Sequence, residues 1–299
     1  MGEPAGVRVL ARAKLNLFLR VLAREASGYH SLETLFTLID LADEITVSRA
    51  NGTDIRLTVE GEDTGPPQDN LVTRAAQLIS RAIGRDPALE IRLVKRIPVR
   101  AGLGGGSSDA AATLHAVNAL FGQPVPRHEI LQLAAQLGSD VPFFAAQAPL
   151  ALAWGRGERL FRLAPLPAVP GLLLVPPVGV STPDAYALLD KARGNGPGRG
   201  SVALDPEAFS GWGSIARLGG NDFESVIFAE QPALREAFEA MASTRPLLLR
   251  MSGSGSAIAG LYRGEAERDE AVGILSLRLG RTIRITTLPQ ILPQDSEFL

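Results

Sequence analysis

The stretch Pro98-Val-Arg-Ala-Gly-Leu-Gly-Gly-Gly-Ser-Ser108 decides how this 299-residue sequence is interpreted. Before it, residues 89–93 alternate between apolar and charged side chains, which predicts a strand. After it, an alanine-rich run predicts a helix with Ser107 or Ser108 as its N-cap. Glycines let the main chain approach an anion, and a helix N-terminus offers free N–H groups and the positive end of its dipole. The stretch therefore predicts a phosphate-binding loop.

The spacing within this loop excludes the two commonest phosphate-binding motifs. A P-loop requires a lysine directly after its last glycine, and none follows here. A dinucleotide fingerprint, G-x-G-x-x-G, requires a third glycine five positions after the first. Counted from Gly102 that position is Ser107, and counted from Gly104 it is Asp109. A carboxylate at position 109 competes with phosphate for the helix dipole, and Lys95 and Arg100 are the cations available to offset it. A glycine-rich turn without a ligand remains the alternative.

Composition narrows the class of protein. The chain has 31 glycines, where average usage would give about 21. A net charge of −2 without a basic block argues against a nucleic-acid or membrane partner. We expect small-molecule substrates, and no obligatory protein partner is evident. The lack of cysteine excludes disulfides, thiolate metal sites and cysteine nucleophiles. Neither a signal peptide nor an apolar run long enough to span a bilayer is visible, and we expect a cytoplasmic protein.

Periodicity predicts an α+β protein with two lobes. Residues 7–21 alternate as a strand that would place Lys14, Asn16 and Phe18 on one face. Further strands run in pairs, and helices are interspersed without strict βα alternation, which favours α+β over α/β. A boundary near residues 150–160 divides the chain into domains at 1–155 and 156–299. A second glycine cluster, residues 252–256, separates two predicted strands, and residues 190–200 predict a surface loop. Asn70 is predicted to cap a helix, and residues 172–175 predict a buried strand.

Several blocks of the sequence resemble those of the GHMP kinases. The loop at residues 98–108 is similar to the second motif of that family, and residues 252–256 are similar to the third. The remaining blocks are Ala13-Lys-Leu-Asn-Leu-Phe-Leu19, Gly28-Tyr-His30, Gly138-Ser-Asp-Val-Pro142 and Gly220-Asn-Asp-Phe-Glu224. The resemblance implies a two-domain fold, with an N-terminal domain like ribosomal protein S5 and a ferredoxin-like C-terminal domain.

Within the family, the blocks resemble those of an ATP-dependent kinase of non-mevalonate isoprenoid biosynthesis. The resemblance implies phosphorylation of the 2-hydroxyl of a cytidine-diphosphate-linked methylerythritol, with Lys14 and Asp140 as the catalytic pair. Asp140 would accept the hydroxyl proton, and Lys14 would hold Asp140 ionised and orient the hydroxyl. Taken singly, each residue has an ordinary alternative: Lys14 as a charged residue at a strand edge, and Asp140 as a helix cap.

The resemblance also implies the ligand-binding residues. The ATP-binding residues are Pro98, Val99, Arg100, Ala101, Gly102, Leu103, Gly104, Gly105, Gly106, Ser107 and Ser108. Asn16 would bind the hydroxyls of the acceptor, Tyr29 and Tyr186 would stack on the base, and His30 would bind its edge beside Thr182. Mg²⁺ is expected to bridge the phosphates of ATP, but the sequence identifies no metal ligand beyond the loop serines.

Three other functions compete with this prediction. Another kinase of the family, acting on homoserine or mevalonate, would not need an aromatic site for a base. A non-catalytic nucleotide-binding homologue would not need Lys14 and Asp140. An oxidoreductase would need the dinucleotide spacing that the glycine loop lacks.

Overall fold

The computed structural model describes residues 5–85, 87–194, 205–275, 277–291 and 295–299. The strands are β1 (Gly6–Arg24), β2 (His30–Arg49), β3 (Ile55–Glu60), β4 (Leu89–Val94), β5 (Leu150–Gly155), β6 (Arg159–Arg162), β7 (Pro170–Val175), β8 (Leu248–Met251), β9 (Ile258–Leu261), β10 (Arg281–Thr286) and β11 (Ser296–Phe298). The helices are α1 (Leu71–Ile83), α2 (Gly105–Leu120), α3 (Arg127–Leu137), α4 (Val141–Ala145), α5 (Thr182–Arg193), α6 (Trp212–Ala216), α7 (Asp222–Glu230), α8 (Pro232–Ser243) and α9 (Glu265–Ile274). Short 3₁₀ turns lie at Pro67–Asp69, Pro206–Phe209 and Leu277–Leu279.

The larger sheet has seven strands and is built around the long hairpin of β1 and β2. Its order is β11-β1-β2-β4-β3, and β5 pairs with β2 and with β6. All pairs are antiparallel except β3 with β4. The hairpin turns at Gly28, whose φ of +86° suits a residue without a side chain. Strand β2 runs without a break through Leu41, and its first half pairs with β5 and its second half with β4.

Strand β1 does not keep a single alternation along its length. Its pairing with β2 shifts register after Arg12 and again after Asn16. Lys14 and Asn16 share a face as predicted, since their side chains are hydrogen-bonded to each other. The prediction for Phe18 is wrong: it packs in the same buried apolar cluster as Leu15. The bulge after Asn16 adds a residue to one strand and so changes the face that follows.

Helix α1 begins as the sequence predicted, and α2 does not. The Asn70 side chain accepts a hydrogen bond from the Val72 N–H at 2.9 Å, which is an N-cap. Helix α2 instead has Gly104 as its N-cap, so the prediction of a serine cap is wrong. Ser108 lies in the first turn, where its hydroxyl donates to the Arg12 carbonyl oxygen at 2.7 Å. Most side chains of α2 are buried, and it packs against both α1 and β1.

The smaller sheet is antiparallel, with order β10-β7-β9-β8, and is covered on both faces. Leu172 and Leu174 pack with side chains of α8 and α9. Leu173 points the other way, into a cluster shared with Leu15 of β1. The uninterrupted apolar run of β7 therefore reflects burial on both faces. The mixed α/β organisation in two parts that the sequence predicted is confirmed.

Two further expectations concern the connecting segments. Of the predicted loop at residues 190–200, residues 190–193 belong instead to helix α5, and residues 195–200 lie outside the described residues. Strand β6 pairs with β5 in the larger sheet, and the domain boundary at residue 155 stays a prediction. In the part of the chain that the structure describes, no helix is long and apolar enough to cross a membrane.

We expect Phe143→Ala to destabilise the larger lobe by about 3–5 kcal/mol, because it empties a fully buried site. The Phe143 ring packs against Phe36 and Phe144 at centroid distances of 4.9 and 5.2 Å. Phe161→Ala is the matched control: this ring is 60% exposed, and its loss should change the free energy of unfolding by less than about 0.5 kcal/mol. Urea unfolding measures both, and equal effects would contradict the assigned core.

Candidate active site

The two glycine-rich loops lie in direct contact. The Ser252 hydroxyl donates to the Gly102 carbonyl oxygen at 2.9 Å, and the Ala257 N–H donates to the Ala101 carbonyl oxygen at 3.0 Å. A Cβ at position 102 would lie 1.9 Å from the Ser252 carbonyl oxygen, and φ of Gly102 is +76°. Only glycine permits this approach. The loops therefore form one continuous main-chain surface.

Asn221 fixes the second loop from behind. Its side-chain amide donates to the carbonyl oxygens of Met251 at 2.9 Å and Gly253 at 2.6 Å. Its oxygen accepts from the Phe223 N–H at 3.0 Å and so caps helix α7. The sequence placed Asn221 in a family block without assigning it a role. Its role depends on main-chain groups 30 and 32 residues away, which one sequence does not reveal.

Lys14 lies between the loops and is only 3% exposed. Its N–H donates to the Leu103 carbonyl oxygen at 3.0 Å, which ties β1 to the first loop. Its ammonium contacts the Asn16 side-chain oxygen, stands 5.1 Å from the centre of the Phe36 ring and is 3.8 Å from the Asp140 carboxylate. Burial lowers the pKa of Lys14, and the charge of Asp140 and a hydrogen bond with it oppose that shift.

Asp140 presents its carboxylate to Lys14 rather than to the helix that follows it. It precedes α4, yet its side chain makes no capping hydrogen bond, so the alternative of a helix cap is not what the structure shows. The side chain is 33% exposed, whereas that of Lys14 is buried. The pair thus combines a buried ammonium with a partly solvent-exposed carboxylate, which is accessible to a bound substrate. This arrangement suits proton transfer from a bound hydroxyl.

Asn16 is committed to neighbours within the protein. Its oxygen accepts from Lys14, and its NH₂ group donates to the Thr34 hydroxyl at 2.8 Å. The Thr34 hydroxyl in turn donates to the Phe18 carbonyl oxygen at 2.6 Å. Asn16 therefore orients the Lys14 ammonium in this structure. Its predicted contact with the hydroxyls of an acceptor stays a prediction.

A buried cluster of three ionisable side chains lies beneath the first loop. The Lys95 ammonium donates to Asp43 and, at 2.8 Å, to Asp109. The other Asp43 oxygen accepts from the N–H groups of Arg96 at 2.5 Å and Ile97 at 2.8 Å. Burial raises the pKa of Asp109 to about 8. Lys95, one of the two cations that the sequence suggested, thus contacts Asp109, and Asp43 is the member that sequence reasoning missed.

His30 and Tyr186 meet at the far end of the site. Their rings stack at a centroid distance of 4.5 Å with an interplanar angle of 18°. The Tyr186 ring also meets that of Phe223 edge to face at 4.9 Å, and burial, with a smaller contribution from Asp140, raises the pKa of Tyr186 to about 12. His30 Nε2 lies 2.7 Å from the Asp190 carboxylate. Sequence reasoning missed Asp190, because the two residues are 160 positions apart.

Tyr29 and Thr182 occupy different surroundings. Tyr29 is 60% exposed, and the Arg156 guanidinium lies 4.1 Å from the centre of its ring, a cation–π contact. Arg156 is held in turn by the Glu25 carboxylate at 2.6 Å. The Thr182 hydroxyl lies 3.0 Å from that of Ser254 and so joins α5 to the second glycine loop. The structure thus connects Thr182 to the loops and Tyr186 to His30.

Comparison with known proteins connects this site to one family. Residues 70–147 match the model of the GHMP kinases N terminal domain, and residues 206–279 match that of the GHMP kinases C terminal. A relative in Pelotomaculum thermopropionicum, named 4-diphosphocytidyl-2-C-methyl-D-erythritol kinase, is 41% identical over 85% of this chain and 88% of its own.

Solved structures agree with these sequence matches. A crystal structure of 4-(cytidine 5'-diphospho)-2C-methyl-D-erythritol kinase has a TM-score of 0.77 and 37% identity, covering 94% of this chain and 98% of that one. Homoserine kinase from Cytophaga hutchinsonii has a TM-score of 0.74, with 18% identity, covering 100% of this chain and 99% of its own. The second likeness concerns the fold alone.

We expect Gly102→Ala to destabilise the protein by more than about 2 kcal/mol, because a left-handed backbone alone costs alanine about 1–2 kcal/mol and the loops must also separate. Gly106→Ala is the matched control for stability. Gly106 lies in helix α2, and a Cβ there would contact Leu71 Cδ1 of helix α1 at 4.0 Å without a clash. That change should preserve stability or raise it by about 0.5–1 kcal/mol. Urea unfolding of both variants checks the prediction, which equal stabilities would contradict.

We expect the stability of the protein to fall, relative to that of an Asp109→Asn variant, as pH rises from 5 to 8. The pKa of Asp109 is about 8 in the folded state, against an ordinary value of 3.8, so the folded chain retains a proton that the unfolded chain has lost. Stability then decreases with pH across this range. Urea unfolding at several pH values measures the difference, and a constant difference would refute the assignment.

Proposed function

Because the chain belongs to the GHMP kinase family, we propose that it transfers the γ-phosphate of ATP to the 2-hydroxyl of 4-diphosphocytidyl-2-C-methyl-D-erythritol. The observation that carries this proposal is the Lys14–Asp140 pair, 3.8 Å apart, where the two glycine loops meet. The aromatic cluster of His30 and Tyr186 favours this acceptor over homoserine or mevalonate, which contain no base. The name shared by relatives that align along most of their length supports the same acceptor.

The ATP phosphates would lie on the loop of residues 98–108. The N-terminus of α2 supplies N–H groups and the positive end of a helix dipole there. Mg²⁺ would arrive bound to the nucleotide, because the described residues contain no cluster of three or more His, Asp or Glu side chains able to hold a metal. Of the loop serines, Ser108 is committed to the Arg12 carbonyl oxygen, so Ser107 is the one available to the phosphates or the metal.

The transfer requires a base, a charge-stabilising group and alignment of the reacting atoms. Asp140 would accept the proton of the 2-hydroxyl as its oxygen attacks the γ-phosphorus in line with the departing ADP. Lys14 would stabilise the ionised Asp140 and the charge that develops on the transferring group. Its burial between the loops strengthens both interactions, since few water molecules screen them. No phosphoenzyme is needed.

The cytidine end would occupy the region of the aromatic cluster. Tyr29 has the more exposed ring, so it is the surface on which the base stacks. Tyr186 would complete the aromatic walls and support His30, which binds the base edge. Asn16 and Thr182 would face the methylerythritol and diphosphate portions between the base and the reacting hydroxyl.

We extend the proposal to the two domains, the cellular compartment and the partners of the protein. The larger sheet would form the domain like ribosomal protein S5 and the smaller sheet the ferredoxin-like domain, with the division near residue 155. The smaller sheet supports this, because it has four antiparallel strands with α8 and α9 on one face. A chain without cysteine suits the reducing cytoplasm, and small molecules would be its only necessary partners.

We expect Asp140→Asn to lower kcat by about 10²–10⁴-fold, the usual contribution of a general base, while ATP affinity changes little. Asp54→Asn is the control, because this exposed aspartate lies before β3, away from the site. ATP consumption is measured with 4-diphosphocytidyl-2-C-methyl-D-erythritol, homoserine and mevalonate. Turnover of homoserine or mevalonate without turnover of the cytidylyl substrate would refute the proposed acceptor, and near-normal activity of Asp140→Asn would refute the assigned base.

A further inference from the structure

Two side chains of helix α5 contact His30. Tyr186 and Asp190 are four positions apart on this helix and therefore project from one face. The Tyr186 ring lies flat against the imidazole at 4.5 Å, and the Asp190 carboxylate meets Nε2 at 2.7 Å. The second Asp190 oxygen lies 3.7 Å from the Arg24 guanidinium. Stacking on Tyr186 thus fixes the plane of the imidazole ring, and the contact with Asp190 fixes its rotation within that plane.

This arrangement determines which nitrogen of His30 carries hydrogen. An ionised carboxylate can only accept hydrogen bonds, so Nε2 must be the protonated nitrogen. In a neutral imidazole the other nitrogen, Nδ1, is then an acceptor. Among the described residues Nδ1 has no hydrogen-bond partner. His30 therefore has one unused hydrogen-bond acceptor, Nδ1, and Asp190 makes it an acceptor by holding the proton on Nε2.

The two common pyrimidines differ at the group that such an acceptor would meet. Cytosine has an exocyclic amine at C4, which donates, whereas uracil has a carbonyl oxygen there, which accepts. If such an acceptor faces the amine of cytosine, a hydrogen bond forms. If it faces the carbonyl oxygen of uracil, two acceptors lie against each other and neither has a donor.

We propose that Asp190 determines base specificity by holding His30 in the tautomer whose Nδ1 accepts a hydrogen bond from the cytosine amine. Asp190 acts through His30 and is a positioning residue. The inference rests on the proposed function, since it concerns the nucleoside part of that substrate. It adds a residue that lies outside every block by which the sequence resembled the family.

The test compares kcat/KM for cytidine- and uridine-diphosphate-linked methylerythritol at pH 8. We expect the wild-type protein to prefer the cytidine compound, and Asp190→Ala to reduce that preference about tenfold, the worth of one hydrogen bond. The loss should appear in KM for the cytidine compound, because the base is remote from the reacting hydroxyl. Asp190→Asn should retain part of the preference, since its amide oxygen can still accept from Nε2. Asp184→Asn, an exposed aspartate of the same helix, is the control.

Nitrogen-15 NMR provides a readout that is independent of activity. The chain has three histidines, so the His30 signals can be assigned with one His30→Gln variant. We expect the Nε2–H tautomer in the wild-type protein and a mixture of tautomers in Asp190→Ala. An Nδ1–H tautomer in the wild-type protein would overturn the inference, even if every Asp190 variant failed to fold.

The outcomes separate this inference from the proposed function. No turnover of the cytidine compound by the wild-type protein would overturn the function itself. Turnover by the wild type, with a cytidine preference that Asp190→Ala leaves unchanged, would overturn only the role of Asp190. A purely structural role for Asp190 would raise KM equally for both compounds and would have the same consequence.

Discussion

Where the two glycine loops meet, the Ser252 carbonyl oxygen occupies the space that a side chain at position 102 would need. This close approach lets the Ser252 hydroxyl bond to Gly102 and leaves room for Lys14 between the loops. Asn221 holds the second loop from behind, and β1 holds the first through the Leu103 carbonyl oxygen. The geometry of the candidate site is thus a consequence of two backbones that approach closely at Gly102 and Ser252, where no side chain separates them.

Two buried lysines serve this surface in different ways. Lys95 is surrounded by Asp43 and Asp109, so its charge is balanced within the protein, and the cluster fixes the start of the first loop. Among the described residues, Asp140 is the one carboxylate within 4.0 Å of the Lys14 ammonium, and its side chain is 33% exposed. Burial of an ionised group is costly unless it is paired. The proposed role of Lys14 is consistent with this difference, because its charge is paired with one carboxylate and not with two.

The sequence predicted the local features of the fold and site and missed those made by distant contacts. The cap at Asn70, the paired Lys14 and Asn16 and the strand β7 follow from short-range patterns, and all are observed. The serine cap of α2 failed because the Ser108 hydroxyl bonds to β1. Asp190 carried no signal, since a single aspartate on a helix is usually a solvated residue. Its partner becomes visible only when the chain is folded.

Strand β1 belongs to both halves of the molecule. It pairs with β2 and β11 in the larger sheet, and it contributes Leu15 and Leu17 to the cluster shared with the smaller sheet. Its Leu17 carbonyl oxygen accepts from Arg250 of β8 at 3.0 Å. The same strand carries Lys14. Separation of the two halves would break contacts on the strand that bears the ammonium for which we propose a catalytic role. Loss of catalysis and loss of the native fold should therefore be one cooperative event, with no active half-folded form.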